Sequence, residues 1–296
     1  MITVIYNEFS GTYSVPVIDK LERAIKKTLK DDQLIMRKTN KIGNAIDIAS
    51  NVSANSLVVI CGGDGIVHEA INGLYKRVNN DVILAICPMG SGNHCAKQLG
   101  IISTDVAIQR IINFLEKKEE HQLHLLRPTE VLAENNTRIL SINTIISGPP
   151  LEVAKLANSI GKYLPGFLAS LKYDLATIIY SFKYKVCNYT VGGIKGLNGF
   201  FIQTTKTCGN GMLIDKDASL SEKTVRMLGI FSTNFIYLMY QLLCIKMSIN
   251  VKNVCRANFE EEVIIIGNGS VTIDGENKEF AMPCKIKRCE TTFQIV

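Results

Sequence analysis

Four consecutive residues, Gly62, Gly63, Asp64 and Gly65, combine two kinds of chemistry. Glycines allow positive φ and let a ligand come close to main-chain N–H groups. A carboxylate among them is out of place at a bare anion site, because it repels phosphate unless a metal ion or a proton stands between. The combination points to a nucleotide–metal complex, or to a base beside a transferred phosphoryl group. Taken alone, the same residues also fit an ordinary turn with Asp near a helix start. A second turn of this kind, Pro88-Met89-Gly90-Ser91-Gly92-Asn93-His94, lies one strand–helix unit further on and shifts the balance toward a ligand site. GxxxxGK[ST] and GxGxxG are both absent from these turns, which excludes a Walker A loop and the dinucleotide fingerprint there.

The flanking sequence supplies the elements that must position them. Leu57 to Ile60 is an uninterrupted apolar run, as in a strand buried on both faces of a parallel sheet. Ile66, Val67, Ala70, Ile71 and Leu74 then recur at helical spacing. Val82 to Ile86 repeats the apolar run before the second turn, so both turns should open on one carboxyl edge of a parallel sheet. Ile2 to Tyr6 reads as a further strand, followed by Asn7-Glu8-Phe9-Ser10-Gly11, a third candidate phosphate-side turn. Val17 to Lys30 is an amphipathic helix and Leu34 to Met36 a strand. Thr39 is a candidate N-cap for a helix carrying Ile42, Ile46 and Ala49. A helix through Val106, Ile111 and Leu115 closes a doubly wound half.

GGDGIVHEAINGL resembles the GGDGT-x-x-E-x-x-NGL signature of the diacylglycerol kinase catalytic domain, found in bacterial lipid kinases and in sphingosine kinases. PMGSGNHCAKQLGI resembles its P-x-G-[TS]-x-N partner, and Asn7 to Gly11 is similar to the family's Asn-Pro-x-[SA]-Gly, with Glu8 in place of proline. Ile66, His68 and the Gly-Ser-Gly-Asn order lean toward the sphingosine kinase branch. The resemblance implies that ATP is bound through Asn7, Ser10, Gly11, Thr39, Gly62, Gly63, Gly65, His68, Glu69, Gly90, Ser91, Gly92 and Asn93, with Mg2+ as the accompanying cation. Thr207 to Met212 resembles the family's later Gly-rich turn. Glu222 stands where the family has its acidic magnesium-site residue, although Lys223 replaces the following glycine. Asp274-Gly275-Glu276 matches the family's DGE turn, and Asp-Gly is equally a hairpin signal. Glu152 stands near the position where sphingosine kinases carry a head-group aspartate. It follows the atypical Pro149-Pro150, and a Glu at a helix start is also plain dipole chemistry. Asp64, Asp274 and Glu276 are the candidate catalytic carboxylates, and in a two-domain kinase they would face one cleft.

After about Glu120 helices become fewer and short strands more frequent, with expected strands at His121 to Leu126, Arg138 to Ile146, Val186 to Val191, Phe200 to Thr205, Val263 to Ile266 and Val271 to Ile273. That pattern suits a sandwich or barrel. The expected division is residues 1–120 and 121–296. A helical insert from Leu151 to Phe182 is more apolar than one buried face requires, which fits two helices burying each other or a lipid-tail pocket. Met227 to Ile245 carries no charge. Ser232-Thr233-Asn234 breaks it like a loop or N-cap, so the expectation is a buried or interfacial helix rather than a membrane span.

Composition agrees with a folded enzyme. The chain has 296 residues, 47% of them hydrophobic and 20% charged, which excludes a disordered segment and leaves room for two cores. A net charge of +6 suits acidic partners such as nucleotides and anionic membranes. Nine dispersed cysteines without a CxxC pair read as reduced thiols. His121 and His124 would lie on opposite faces of a strand, so no zinc site is expected. Met1-Ile2-Thr3-Val4 runs directly into a strand, and no signal peptide is expected.

The resemblance implies an α/β nucleotide domain of the NAD kinase/diacylglycerol kinase type, followed by an all-β sandwich with a helical insert. It implies an ATP- and Mg2+-dependent lipid kinase acting on the primary hydroxyl of a sphingoid base or diacylglycerol. Such an enzyme would be cytoplasmic and peripherally membrane-associated, with no nucleic-acid partner; a homodimer is compatible. Two rivals remain. One is a soluble-substrate enzyme of the NAD kinase type, which shares GGDG. The other is a non-catalytic lipid or nucleotide sensor, motivated by Ile66, Lys223 and Pro149-Pro150.

Overall fold

A computed structural model describes residues 1–29, 33–77, 81–117, 122–161, 163, 171–209, 211–232, 234–247, 249, 252–275 and 279–296, without the side chains of 173, 174 and 246. Among the residues singled out above, Lys30, Glu120, His121, Asn210, Thr233 and Glu276 lie outside the described residues. Contacts divide the chain into two units, Met1–Pro128 with Cys289–Val296, and Thr129–Arg288.

The first unit runs β1 (Ile2–Tyr6), α1 (Val15–Thr28), β2 (Leu34–Lys38), α2 (Asn44–Ser50), β3 (Leu57–Gly62), α3 (Asp64–Tyr75), β4 (Ile83–Pro88), α4 (His94–Gln98), α5 (Thr104–Leu115) and β5 (His124–Leu126). All six residues of β3 are buried, as the unbroken apolar run requires of a central parallel strand. β1 pairs in parallel with β2 and β3, and β3 with β4. α1 packs with α5 and α2 with α3, so helices cover both faces of the sheet. The order β2-β1-β3-β4 reverses direction between β1 and β3. At such a reversal the loops at the carboxyl ends diverge and leave a crevice for ligands. Cys61 and Cys87 are register partners in β3 and β4, and all nine cysteines are free thiols.

The second unit runs β6 (Thr129–Ala133), β7 (Arg138–Ser141), β8 (Thr144–Ser147), α6 (Pro149–Gly161), α7 (Lys172–Ser181), β9 (Tyr189–Val191), β10 (Ile194–Leu197), β11 (Gly199–Gln203), β12 (Thr207–Cys208), β13 (Met212–Leu213), β14 (Val225–Ile230), α8 (Phe235–Lys246), β15 (Val254–Phe259), β16 (Val263–Gly267), β17 (Ser270–Ile273), β18 (Glu279–Ala281) and β19 (Cys284–Arg288). Two six-stranded antiparallel sheets, β10-β9-β16-β19-β6-β7 and β15-β14-β11-β8-β17-β18, share one core. Val131, Val191, Ile265 and Ile286 from the first meet Phe200, Ile202, Met227 and Ile273 from the second. β16 alternates as a half-buried strand should, with Val263 and Ile265 inside and Ile264 and Ile266 outside.

Two expectations are corrected. The last strand, β20 (Phe293–Ile295), does not stay with the sandwich. It inserts between β4 and β5 of the first sheet, and Arg127 fastens the returning chain by donating to the carbonyls of Cys289 (2.7 Å) and Glu290 (3.1 Å). The first unit therefore extends to Pro128 and takes the C-terminal residues as well. Arg138 to Ile146 is not one strand, because β7 and β8 belong to different sheets and the chain turns between them at Ile142-Asn143. The uncharged Met227–Ile245 stretch divides into the end of β14 and most of α8, where Asn234 caps the helix by accepting from Tyr237 N at 3.2 Å. Among the described residues no helix is long and apolar enough to cross a membrane.

Candidate functional site

Three turns meet at the carboxyl edge of the first sheet. A Cβ at Gly90 would lie 2.3 Å from Gly63 Cα, one at Gly62 2.9 Å from Ser10 Oγ, and one at Gly11 2.9 Å from Ser91 Oγ. Gly90 is thus required by the turn beside it, since only backbone fits where β3 and β4 end. Asn93, held at φ 51°, closes the last turn, taking Gly90 N on Oδ1 (2.9 Å) and giving Nδ2 to Gly90 O (2.6 Å). The main-chain N–H groups of Gly11, Gly63, Gly65, Ser91 and Gly92 have no acceptor among the described residues. Open N–H groups at a helix start and on adjoining turns form an anion cradle.

Asp64 opens α3 within this cradle. Its Oδ2 accepts from His94 N at 3.1 Å and its Oδ1 from Cys95 N at 3.3 Å, which ties the turn after β3 to the turn after β4. One N–H on each oxygen leaves lone pairs for a cation or a hydroxyl. Gly92 lies over this carboxylate, where a Cβ would approach Asp64 Oδ2 at 2.9 Å.

Other candidates take different places. Asn7 Oδ1 is occupied by Phe9 N at 2.9 Å. Thr39 is no N-cap; its N and Oγ1 both donate to Tyr6 O, at 2.9 and 3.3 Å, which holds the ends of β1 and β2 together. The capping of α2 falls to Glu69, whose two oxygens accept from Gly43 N (2.8 Å) and Ala45 N (3.1 Å). His68 is buried inside α3 with its Nε2 3.4 Å from Asn72 Nδ2. His68 thus stands one helical turn beyond Asp64, and Glu69 spends both oxygens on α2.

In the second unit, Asp274 is a structural clasp. Oδ1 accepts from Ser141 Oγ (2.7 Å), Asn143 N (2.8 Å) and Thr144 N (2.9 Å), and Oδ2 from Ile142 N (2.7 Å). It holds the corner where the chain passes from one sheet to the other. Its own backbone is left-handed, φ 54°, and the hairpin reading of Asp274-Gly275 holds, since β17 pairs with β18. Asp274→Ala would strand three main-chain donors. At about 1–3 kcal/mol for each unpaired group, a thermal melt should show several kcal/mol of destabilisation; a melting point within error of the parent would contradict the clasp.

Glu222 is engaged as well. Oε1 accepts from Ser219 N (3.2 Å) and Oε2 from Thr224 Oγ1 (3.2 Å), with Arg226 Nη1 at 3.5 Å. The same guanidinium grips Asp215 in two bonds, 2.7 and 3.2 Å. A buried Arg288 fixes this segment by donating to the carbonyls of Ser219, Leu220 and Glu222. Burial works to raise Asp215, but the Arg226 guanidinium and the Asp217 N–H outweigh it and hold the carboxyl below its usual range. A depressed folded pKa stabilises above the unfolded value, about 3.9, and the stabilisation is lost as pH falls through the folded value. Asp215→Asn should therefore destabilise at pH 7 and lose most of that difference in strong acid, as urea titrations at both pH values would show.

Pro149-Pro150 begins α6, where proline costs no helical hydrogen bond, so the pair leaves the register of Glu152 intact. Lys155 bridges Glu152 (2.9 Å) and Glu279 (2.7 Å) on the wall of a cavity of about 670 Å³, which Tyr180, Tyr189 and Leu156 also line. Burial pushes the Tyr180 and Tyr189 hydroxyls up to about 12, so both are neutral donors. Lys155 escaped notice in the sequence, although its spacing of three from Glu152 on a helix announces the pair. Arg226 carried no such signal.

Comparison with known proteins follows the same lines. Residues 1–127 match the family model for the diacylglycerol kinase catalytic domain. The chain is 30% identical over 119 residues to a diacylglycerol kinase of Bacillus subtilis (strain 168), 31% over 99 residues to sphingosine kinase B of Dictyostelium discoideum, and 39% over 98 residues to sphingoid long-chain bases kinase 1 of Arabidopsis thaliana. These matches take in 37%, 30% and 30% of this chain, and 37%, 13% and 13% of the relatives' lengths. A solved structure described as a diacylglycerol kinase from Bacillus anthracis str. Sterne superposes over all of this chain and 96% of its own, with a TM-score of 0.68 at 16% identity. Another from the same organism gives 0.73 at 18%. The α/β plus all-β architecture is thus that of solved bacterial proteins along the whole chain.

Proposed function

We propose that this protein is an ATP- and Mg2+-dependent lipid kinase that phosphorylates the primary hydroxyl of a sphingoid base or diacylglycerol while peripherally bound to a membrane. The observation that carries the reading is the meeting of three turns around unbonded N–H groups, with Asp64 among them. N–H groups from the turns receive the nucleotide phosphates, and the Ser10 and Ser91 hydroxyls add donors. Asp64 is the described carboxylate whose surroundings fit a cation shared with phosphates, since Mg2+ keeps its waters and needs few protein ligands. When bound, Mg2+ would offset phosphate charge during transfer. Glu222 does not fit that duty, because the Arg226 guanidinium already supplies its cation; no three His, Cys, Asp or Glu side chains are gathered for a metal among the described residues. Asp64 also holds or takes the proton of the attacking hydroxyl. Asp274 acts by clasping the corner from Ser141 to Thr144, and Glu276 is the proposed hydroxyl-side partner in a diacylglycerol-kinase-like reaction. Glu152, with Lys155, offers polar contacts to a head group.

The sensor reading draws support from the two N–H bonds already made by Asp64. Radiolabelled ATP offered with sphingosine, diacylglycerol, ceramide and NAD side by side separates the alternatives. Label in one lipid product is expected. Label in NAD alone would favour the soluble-substrate enzyme, and ATP binding without any transfer would favour the sensor.

A further inference from the structure

α8, FIYLMYQLLCIK, is apolar on nearly every side and carries one charge, Lys246. A helix of that kind is ordinarily buried all round. Here one side is: Leu238 and Ile245 pack on Phe201, Leu228 and Ile230 of the second sheet. The opposite side presents Ile236, Tyr240, Leu243 and Met247, spaced four, three and four residues apart and each between 52% and 79% exposed. An open groove of about 570 Å³ runs beside Ile236 and Tyr240. The end of α7 abuts the start of this helix through Tyr184, whose ring lies 5.4 Å from Phe235 and whose hydroxyl donates to Ser232 O at 3.1 Å. There Ile178 and Phe182 are exposed too, Phe182 by 85%.

Charge decides what covers this face. Residues 175–214 contain four lysines and no acid, and residues 223–259 contain Lys223, Lys246, Lys252 and Arg256 and no acid, besides Arg226, whose charge Asp215 offsets. Exposed Lys183 and Lys185 follow α7, and exposed Lys252 follows α8, its carbonyl held by Tyr237 and Gln241. A second copy applied face to face would bring like charges together. An anionic lipid surface accepts both features, with apolar side chains entering the acyl boundary, basic groups meeting the head groups and Tyr240 at the level between.

We propose that the exposed face of α8, continued by the end of α7, is the surface by which this protein docks onto an anionic bilayer. The purpose of docking rests on the lipid kinase reading; the test does not, because it needs neither ATP nor turnover. The full chain is floated with vesicles of phosphatidylcholine, with and without phosphatidylserine. Binding to the phosphatidylserine vesicles is expected. The Ile236→Glu, Leu243→Glu double variant should bind at least ~10-fold more weakly, from two side chains no longer leaving water. Ile264→Glu, on the outward face of β16, should bind as the parent does. Since the chain has no tryptophan, Tyr240→Trp supplies a single reporter, whose emission should shift to the blue on those vesicles. Undiminished binding by the folded double variant, or an unshifted reporter on bound protein, would overturn the proposal. So would a parent dimer that the double variant converts to monomer, which would assign the face to a second copy.

Discussion

Gly90→Val is expected to weaken ATP binding at least ~100-fold, through loss of two or three hydrogen bonds to charged oxygens at about 1.5–3 kcal/mol each. Cβ alone would stand 2.3 Å from Gly63 Cα and 2.9 Å from Asn93 Oδ1. The first neighbour is backbone and cannot swing aside, so the turns after β3 and β4 must part. Parting them also pulls Asn93 from its two bonds to Gly90, and the N–H groups of Ser91 and Gly92 lose their common direction. The sandwich has its own core and should melt as before. Isothermal titration with ATP, read beside the melting curve, checks this. Affinity within about threefold of the parent would mean that the turns do not hold the phosphates.

Asp64→Asn is expected to lower turnover by roughly 10²–10⁴, the range for loss of a positioned general base, while ATP affinity measured without Mg2+ changes far less. The substitution keeps the shape of the side chain and removes its charge. It also turns an NH2 group toward one of the two N–H donors at the start of α4, at a cost of about 1–3 kcal/mol of stability. A purely capping role predicts the lower melting point alone, with kcat preserved in the folded protein. A chemical role predicts a collapse of kcat that saturating ATP and Mg2+ do not restore. Near-normal kcat would remove Asp64 from the reaction and favour the sensor.

The parts of this fold legible in the sequence are those where one strand or one turn decides the outcome. Leu57 to Ile60 reads as a strand covered on both faces, and the strand passes to the helix within Gly62 to Gly65, at Gly63. That several such turns touch was implied by strand order but not spelled out by any residue. Less legible were long-range side-chain bonds. Glu69 looks like part of the glycine motif, yet it caps α2, twenty-six residues from Gly43. Asp274 looks like a reacting carboxylate, yet it clasps a corner more than a hundred and thirty residues away. A carboxylate's type announces that it will accept hydrogen bonds; which donors it meets is fixed by the packing of distant elements. The same holds for β20, whose short Phe293–Ile295 pattern gave no sign that it joins β4 in parallel.

The central claim is that the turns after β1, β3 and β4 form a single phosphate cradle. Amide hydrogen exchange, with and without a non-hydrolysable ATP analogue and Mg2+, tests it most directly. The account predicts slower exchange in all three places together, around Ser10-Gly11, around Gly63 to Gly65 and around Ser91-Gly92, because their N–H groups gain acceptors at once. Protection confined to one turn, or found only elsewhere in the chain, would contradict it.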